Sequence, residues 1–127
     1  MQIVVNTSDS RPIYVQIMDE VRRALVVGTL RSEDPLPSVR QLASELRVNP
    51  NTVAQAYREL EREGVVYVRR GQGTFAAASG PGPSDRQALA RGVAERALVD
   101  AHRHGLSADE LVDAIRAAQP RNPIDPE

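Results

Sequence analysis

The chain has 127 residues, 41% of them hydrophobic, a formal net charge of −1 and no cysteine, so disulfides and thiolate metal sites are excluded. Its apolar runs fall far short of the ~20 residues a membrane-spanning helix needs. The opening MQIVVNTSDS has neither the basic start nor the apolar stretch of a secretory signal, so the expectation is a soluble cytoplasmic protein with no membrane partner.

All 16 positive charges are arginine. Arginine suits bidentate contact with phosphate or a guanine edge, although genome composition would produce the same bias. Residues 1–79 carry ten arginines against nine acids, and residues 80–127 six against eight. That small asymmetry points any DNA-facing role at the N-terminal part. The length suits one domain, or a small domain with an appendage, whose thin core oligomerisation could supplement.

In chain order, Ser10 and Pro12 are expected to open a first helix, Ser10 as its cap. Ile13, Ile17, Val21, Ala24 and Leu25 recur at helical spacing, and Gly28 supplies a left-handed stop. TLRSEDPLP then crosses the surface, its prolines forbidding a long helix. Ser38 starts a short second helix with Val39, Leu42, Ala43 and Leu46 inside, and Ser38 with Gln41 matches a capping box. Asn49 and Pro50 form the cap and first turn of a third helix, whose inner face is Val53, Ala56, Tyr57 and Leu60 and which Gly64 ends. The period then changes to a β-prone run at Val65–Val68, a turn at Arg70–Gly73 and a second short strand at Thr74–Ala76.

Helix, helix, tight turn, helix and hairpin make a winged helix-turn-helix. Beyond it, the Ala/Gly/Pro/Ser-rich run after Ala76 is expected to be a linker. A fourth helix is expected over about 85–104, with the stripe Leu89, Val93, Ala97, Leu98 and Ala101. Ser107 and Glu110 cap a fifth, striped by Leu111, Val112, Ile115 and Ala118. The predicted fold is mainly α (α+β). The expected organisation is a DNA-binding winged helix-turn-helix at 1–77, a linker at 78–84, a two-helix dimerisation segment at 85–119 and a flexible tail at 120–127.

In this motif the N-terminal turns of the second motif helix enter the major groove. With Val53, Tyr57 and Leu60 inside, Asn51, Gln55 and Arg58 project outward, and Asn and Gln can pair with adenine edges. Outside this setting, Asn51 and Gln55 would read as a solvated helix face. The free start of the preceding helix, with Ser38 and Arg40, suits a phosphate; a simple cap, or an ion pair of Arg40 with Glu45, is the plainer alternative. Arg69, Arg70, Gly71, Gln72 and Gly73 form the wing, and Arg70 could enter a narrow minor groove. A phosphate-binding nucleotide loop does not fit, because no strand-then-helix context and no lysine accompany the glycines. His102 and His104, two apart on a helix, are not a metal pair. No catalytic motif is present, so neither enzyme activity nor a cofactor is expected.

Pro12-Ile13-Tyr14, Gln16-Ile17, Gly28-x-Leu30, Leu36-Pro37-Ser38-x-Arg40-x-Leu42-Ala43, Val48-Asn49-Pro50-Asn51-Thr52-Val53, Ala56-Tyr57-x-x-Leu60, Glu63-Gly64 and Arg70-Gly71-x-Gly73-Thr74-Phe75 follow one another. Together they resemble the DNA-binding domain of the GntR family over roughly residues 11–76. By that resemblance Ser38, Arg40, Asn49, Asn51, Thr52, Gly71 and Gly73 fall at positions that contact DNA. About fifty residues follow, which resembles the YtrA subfamily, whose short helical tail serves dimerisation and whose members typically repress their own operons, often with ABC-transporter genes. Two departures stand out: the family commonly has Pro-Gly where this chain has Ser32-Glu33, and a Gly where Arg47 stands. The second adds a positive charge beside the DNA face.

The expected function is that of a homodimeric repressor on a pseudo-palindromic operator in double-stranded DNA, with half-sites about 10 bp apart. Leu89, Val93, Ala97, Leu98, Leu111 and Ile115 would be buried at the dimer interface, unless they pack on their own winged domain. A small-molecule-responsive sensor with ligand at the dimer interface, or a winged-helix protein-interaction module, stays open. The effector, if any, is unspecified.

Overall fold

A computed structural model describes residues 2–119. Among them the chain forms α1 (Ile13–Val27), α2 (Val39–Leu46), α3 (Pro50–Arg62), β1 (Val66–Arg69), β2 (Gly73–Ala76), α4 (Pro83–Arg103) and α5 (Ala108–Ala118). This is the expected mainly helical winged helix-turn-helix followed by two helices. The expected tail at 120–127 lies outside the described residues. The described residues divide into two compact units, the first ending at Arg91 and the second beginning at Gly92.

In the first unit, α1 starts one residue after Pro12, which occupies the cap position without a side-chain bond. The expected Ser10 cap is therefore wrong. The start is closed by the main chain, where Val15 and Gln16 both donate to the Pro12 carbonyl. Buried Gln16 ties down the segment ahead of the helix. Its Oε1 accepts from Asn6 N at 2.7 Å, and its Nε2 donates to the carbonyls of Asn6 and Arg11. A buried amide whose polar atoms are all engaged costs little. Ile3 and Val5 of that segment reach the core.

The core gathers Ile17 and Val21 of α1, Leu42 and Ala43 of α2, Val53, Ala56, Tyr57 and Leu60 of α3, and Val65, Val66 and Ala76 around the hairpin. The four α3 residues lie at helical spacing, so one stripe meets α1, α2 and β1 at once. β1 and β2 pair antiparallel, with Arg69 opposite Gly73 and Val66 opposite Ala76. Each strand begins or ends one residue from its expected limit. The other edge of β2 is covered by the loop before α2, where Leu36 N donates to Thr74 O and Ala76 N to Asp34 O, both at 2.8 Å. That docking carries the chain from the sheet into α2.

Tyr57 completes the placement of α2. Its buried hydroxyl donates to the Pro37 carbonyl at 2.7 Å, one residue before the α2 cap. Burial, with the nearby Glu45 charge, pushes its phenol pKa well above the usual tyrosine value. It therefore stays a neutral donor.

Arg22 forms a second tie and is only 7% exposed. It holds Asp19 (2.9 Å) on its own helix and Glu63 (2.5 Å) at the end of α3, and its Nε faces Asp85 (3.7 Å) in the first turn of α4. Asp85 in turn accepts from Gly82 N at 2.8 Å. That Nε makes no hydrogen bond, so Asp85 serves it by charge alone.

In the second unit, Gly105 follows α4 in a left-handed conformation and Leu106 N returns to Ala101 O at 2.9 Å. Ser107 and Glu110 form the expected capping box, each side chain accepting from the other residue's N–H. No residue of α5 is buried.

Two substitutions test these ties. Arg22→Ala would leave Asp85 and Glu63 without their cation, while Asp19 keeps Arg11 at 2.5 Å, and should cost about 3 kcal/mol in chemical denaturation. Tyr57→Phe should cost about 1 kcal/mol, with the circular-dichroism spectrum of the folded protein unchanged.

Candidate nucleic-acid interface

Three segments of the first unit bring the expected site residues to its surface. The first is the start of α2. Ser38 is the N-cap, and its Oγ accepts from Gln41 N at 3.0 Å. The expected capping box is only half made, because Gln41 turns its side chain to Glu45 (3.3 Å) instead of back to Ser38 N. That leaves the Ser38 N–H without the side-chain partner a full box would provide, at the end of a helix dipole that favours an anion. Arg40, in the first turn, is exposed, and the Arg40–Glu45 pair considered as its plainer role does not form among the described residues.

The second segment is the start of α3. Asn49 caps it, accepting from Asn51 N at 2.8 Å, and Pro50 follows in the first turn. Pro has no N–H to leave unmet there, and its fixed φ suits the helix. With the inner stripe sealed, Asn51 and Arg58 are exposed and Thr52 and Gln55 half-buried. Farther along, Glu59 pairs with Arg62 (3.4 Å) and Glu63 with Arg22 (2.5 Å). Two of the three acids near the far end of α3 are thus held in ion pairs.

The third segment is the wing. Arg70, Gly71 and Gln72 connect β1 to β2, closed by Gln72 N to Arg69 O at 2.9 Å. Gly71 (φ 76°) and Gly73 (φ 119°) take backbone conformations that a side chain strains against, and a Cβ at either would meet open space. Conformation, rather than crowding within the protein, requires glycine here. Arg70 is exposed at the tip.

The wing has a stem that residue patterns did not reveal. Arg69 lies over the Phe75 ring, 3.9 Å from its centroid, and reaches Glu33 at 2.5 Å. The Tyr67 hydroxyl donates to the same carboxylate. Tyr67 foremost, then Arg69, hold the Glu33 carboxyl below its usual pKa range. Arg69, expected as part of the wing surface, is a structural member of it. Tyr57, which holds Pro37 ahead of Ser38, is the other positioning residue that residue patterns placed only in the core.

Arginine pairing divides sharply across this region. From Ser38 to Gly73, Arg62 and Arg69 are paired. Arg40, Arg47, Arg58 and Arg70 are exposed and make no ion pair among the described residues. Unpaired guanidinium groups on α2, α3 and the glycine-containing wing are suited to a polyanion.

The six dimerisation candidates do not share one environment. Val93 and Ile115 are 57% and 55% exposed, while Leu89, Ala97, Leu98 and Leu111 are half-buried.

Comparison with known proteins agrees with this architecture. The family model described as "Bacterial regulatory proteins, gntR family" matches residues 13–76. The chain is similar to the uncharacterized HTH-type transcriptional regulator YhcF of Bacillus subtilis, at 41% identity over 84% of this chain and 89% of that one. It is also similar to the HTH-type transcriptional repressor YtrA of the same organism, at 34% identity over 90% of this chain and 89% of that one. Among solved structures, a transcriptional antiterminator from Listeria monocytogenes aligns with a TM-score of 0.63 and 30% identity, covering 99% of this chain and 98% of that one. YtrA from Sulfolobus acidocaldarius, a GntR-family transcription factor, aligns with a TM-score of 0.56 and 33% identity, covering 91% and 94%. The AraR DNA-binding domain in complex with operator ORE1 aligns with a TM-score of 0.52 and 25% identity over 61% of this chain and 94% of that one. With the family model matching α1 to β2 and relatives at 41% and 34% identity aligned over 89% of their length, this chain belongs to the GntR family of bacterial regulatory proteins.

Proposed function

We propose that this GntR-family transcription regulator reads double-stranded DNA with the N-terminal half of α3 in the major groove, the start of α2 on the phosphate backbone and the wing tip in the minor groove. The observation that carries this reading is the segregation of arginines between Ser38 and Gly73. Those that build the fold are paired, and those beside the two helix starts and at the wing tip are not. Asn51, Gln55 and Arg58 are placed to meet base edges, which specify sequence. Ser38, Arg40, Asn49 and Thr52 serve the backbone, which positions the protein. Arg70, carried by Gly71 and Gly73, enters the minor groove. The operator complex of the related AraR domain supports the assignment of a DNA partner.

The protein acts as a homodimer, on this reading, with a pseudo-palindromic operator to match its two-fold symmetry. The support is the apolar surface of the second unit, where Val112 and Ile115 on α5 and Val99 on α4 are 42%, 55% and 50% exposed. Exposed apolar side chains one turn apart on the amphipathic α5 suit an interface. Regulation is repression of its own operon, following its similarity to the repressor YtrA, with transporter genes as the neighbours to look for. No described helix is long and apolar enough to cross a membrane, and the site of action is the cytoplasm.

Arg40→Ala and Arg70→Ala should each weaken operator binding by about 1–3 kcal/mol in gel-shift titrations while leaving thermal unfolding close to wild type. Wild-type affinity in both would remove them from the interface. Ile115→Arg should shift the full chain toward monomer in sedimentation velocity at micromolar concentration; a dimer as stable as wild type would count against an α5 interface.

A further inference from the structure

Two non-glycine residues of the described chain have positive φ, Glu33 at 71° and Arg47 at 57°. L side chains enter that region at a cost. For Glu33 the structure shows a return, since its carboxylate clasps Tyr67 and Arg69 under the wing. Arg47 makes no such contact. Its backbone closes α2, with its N–H directed at Ala43 O and Ser44 O, and Val48 N bonds to Ala43 O at 3.0 Å. Any residue tolerant of the left-handed region would make these bonds, and glycine would make them with least strain. The Arg47 side chain is exposed and makes no ion pair or side-chain hydrogen bond among the described residues.

Its position gives the side chain a use. Arg47 ends α2 two residues before Asn49, the cap of the helix whose start is directed at the groove. A groove-inserted helix start has a phosphate wall beside it, and the residues entering that helix are the ones next to the wall. The long arginine side chain carries a permanent charge and a forked donor set matched to phosphate.

We propose that Arg47 contacts a DNA phosphate, anchoring the turn between α2 and α3 against the backbone, and that this contact offsets its strained backbone. The proposal rests on the DNA-binding reading above and adds a residue to it. A phosphate contact is independent of base sequence, so it reports on any duplex. It also releases a counterion, so removing it lowers the salt dependence by close to one ion.

The experiment compares the full-length wild type, Arg47→Gly and Arg47→Lys on a duplex of arbitrary mixed sequence, titrated by fluorescence anisotropy between about 50 and 200 mM salt. Thermal unfolding is followed in parallel. Arg47→Gly should melt higher than wild type, since the strain is gone. It should nevertheless bind roughly fivefold more weakly, with the slope of log K against log salt reduced by about 0.9. Arg47→Lys should keep the wild-type slope. The proposal is overturned if the glycine variant binds with wild-type affinity and slope, because Arg47 would then act only on the α2 dipole or its stability. It is overturned too if the lysine variant loses the slope. If the wild type itself shows no salt-dependent binding, the DNA-binding reading falls and this contact with it; wild-type binding with indifferent Arg47 variants removes the contact alone.

Discussion

Burial of a single stripe on α3 organises the first unit. Val53, Ala56, Tyr57 and Leu60 face α1, α2 and β1 together, so the helix cannot rotate about its axis without exposing a side chain that is now dry. Fully burying a residue of this size is worth about 1.5–3 kcal/mol, and several act together. The outward direction of Asn51, Gln55 and Arg58 is therefore set from inside. The same stripe carries Tyr57, whose hydroxyl bonds to Pro37. The start of α2 is in this way tied to the middle of α3 by one side chain.

Charge is distributed by the same logic. The net charge of −1 conceals a local division of labour. Arg22 and Arg69 are consumed by carboxylates within the fold, the first linking α1 to the end of α3 and the first turn of α4, the second bracing the wing stem. Such ties use guanidinium geometry for positioning and add little external field. Arg40, Arg47, Arg58 and Arg70 retain theirs. Whole-chain charge averages over both groups and so is uninformative about a nucleic-acid partner, whereas the pairing state of each arginine is not.

Most of the fold was legible in the sequence, because period and punctuation act locally. The helical spacing of Ile13 to Leu25 and of Val53 to Leu60, the Asn49-Pro50 start and the alternation around the wing located each element within a few residues. Local signals failed where two of them compete or where a partner lies far along the chain. Ser10 looked like a cap, but Pro12 opens the helix later. Gln41 looked like half of a box, but Glu45 one turn on is a competing partner. The clasp of Glu33 with Tyr67 and Arg69 joins residues 34 and 36 positions apart, and Arg22 meets Glu63 across 41; no periodicity encodes such pairs. The left-handed conformations of Glu33 and Arg47 coincide with the two positions where the family resemblance leads one to expect glycine. The backbone path is kept there while the residue differs. For the site, exposure of the chosen side chains followed from the buried stripe, but which arginines were free could be learned only from three-dimensional pairing.

The second unit follows a different rule. Its two helices are ordered by local devices, the Ser107–Glu110 box and the return of Leu106 to Ala101, yet they leave Val112 and Ile115 largely uncovered. The first unit gathers a buried core, whereas α5 buries none of its residues. The most direct test of the central claim is backbone amide chemical-shift mapping on titration with duplex DNA. The shifts should concentrate at Ser38–Gln41, Asn49–Gln55 and Arg70–Gly73. Perturbations centred instead on the start of α1 or on α5, with those three segments silent, would contradict it.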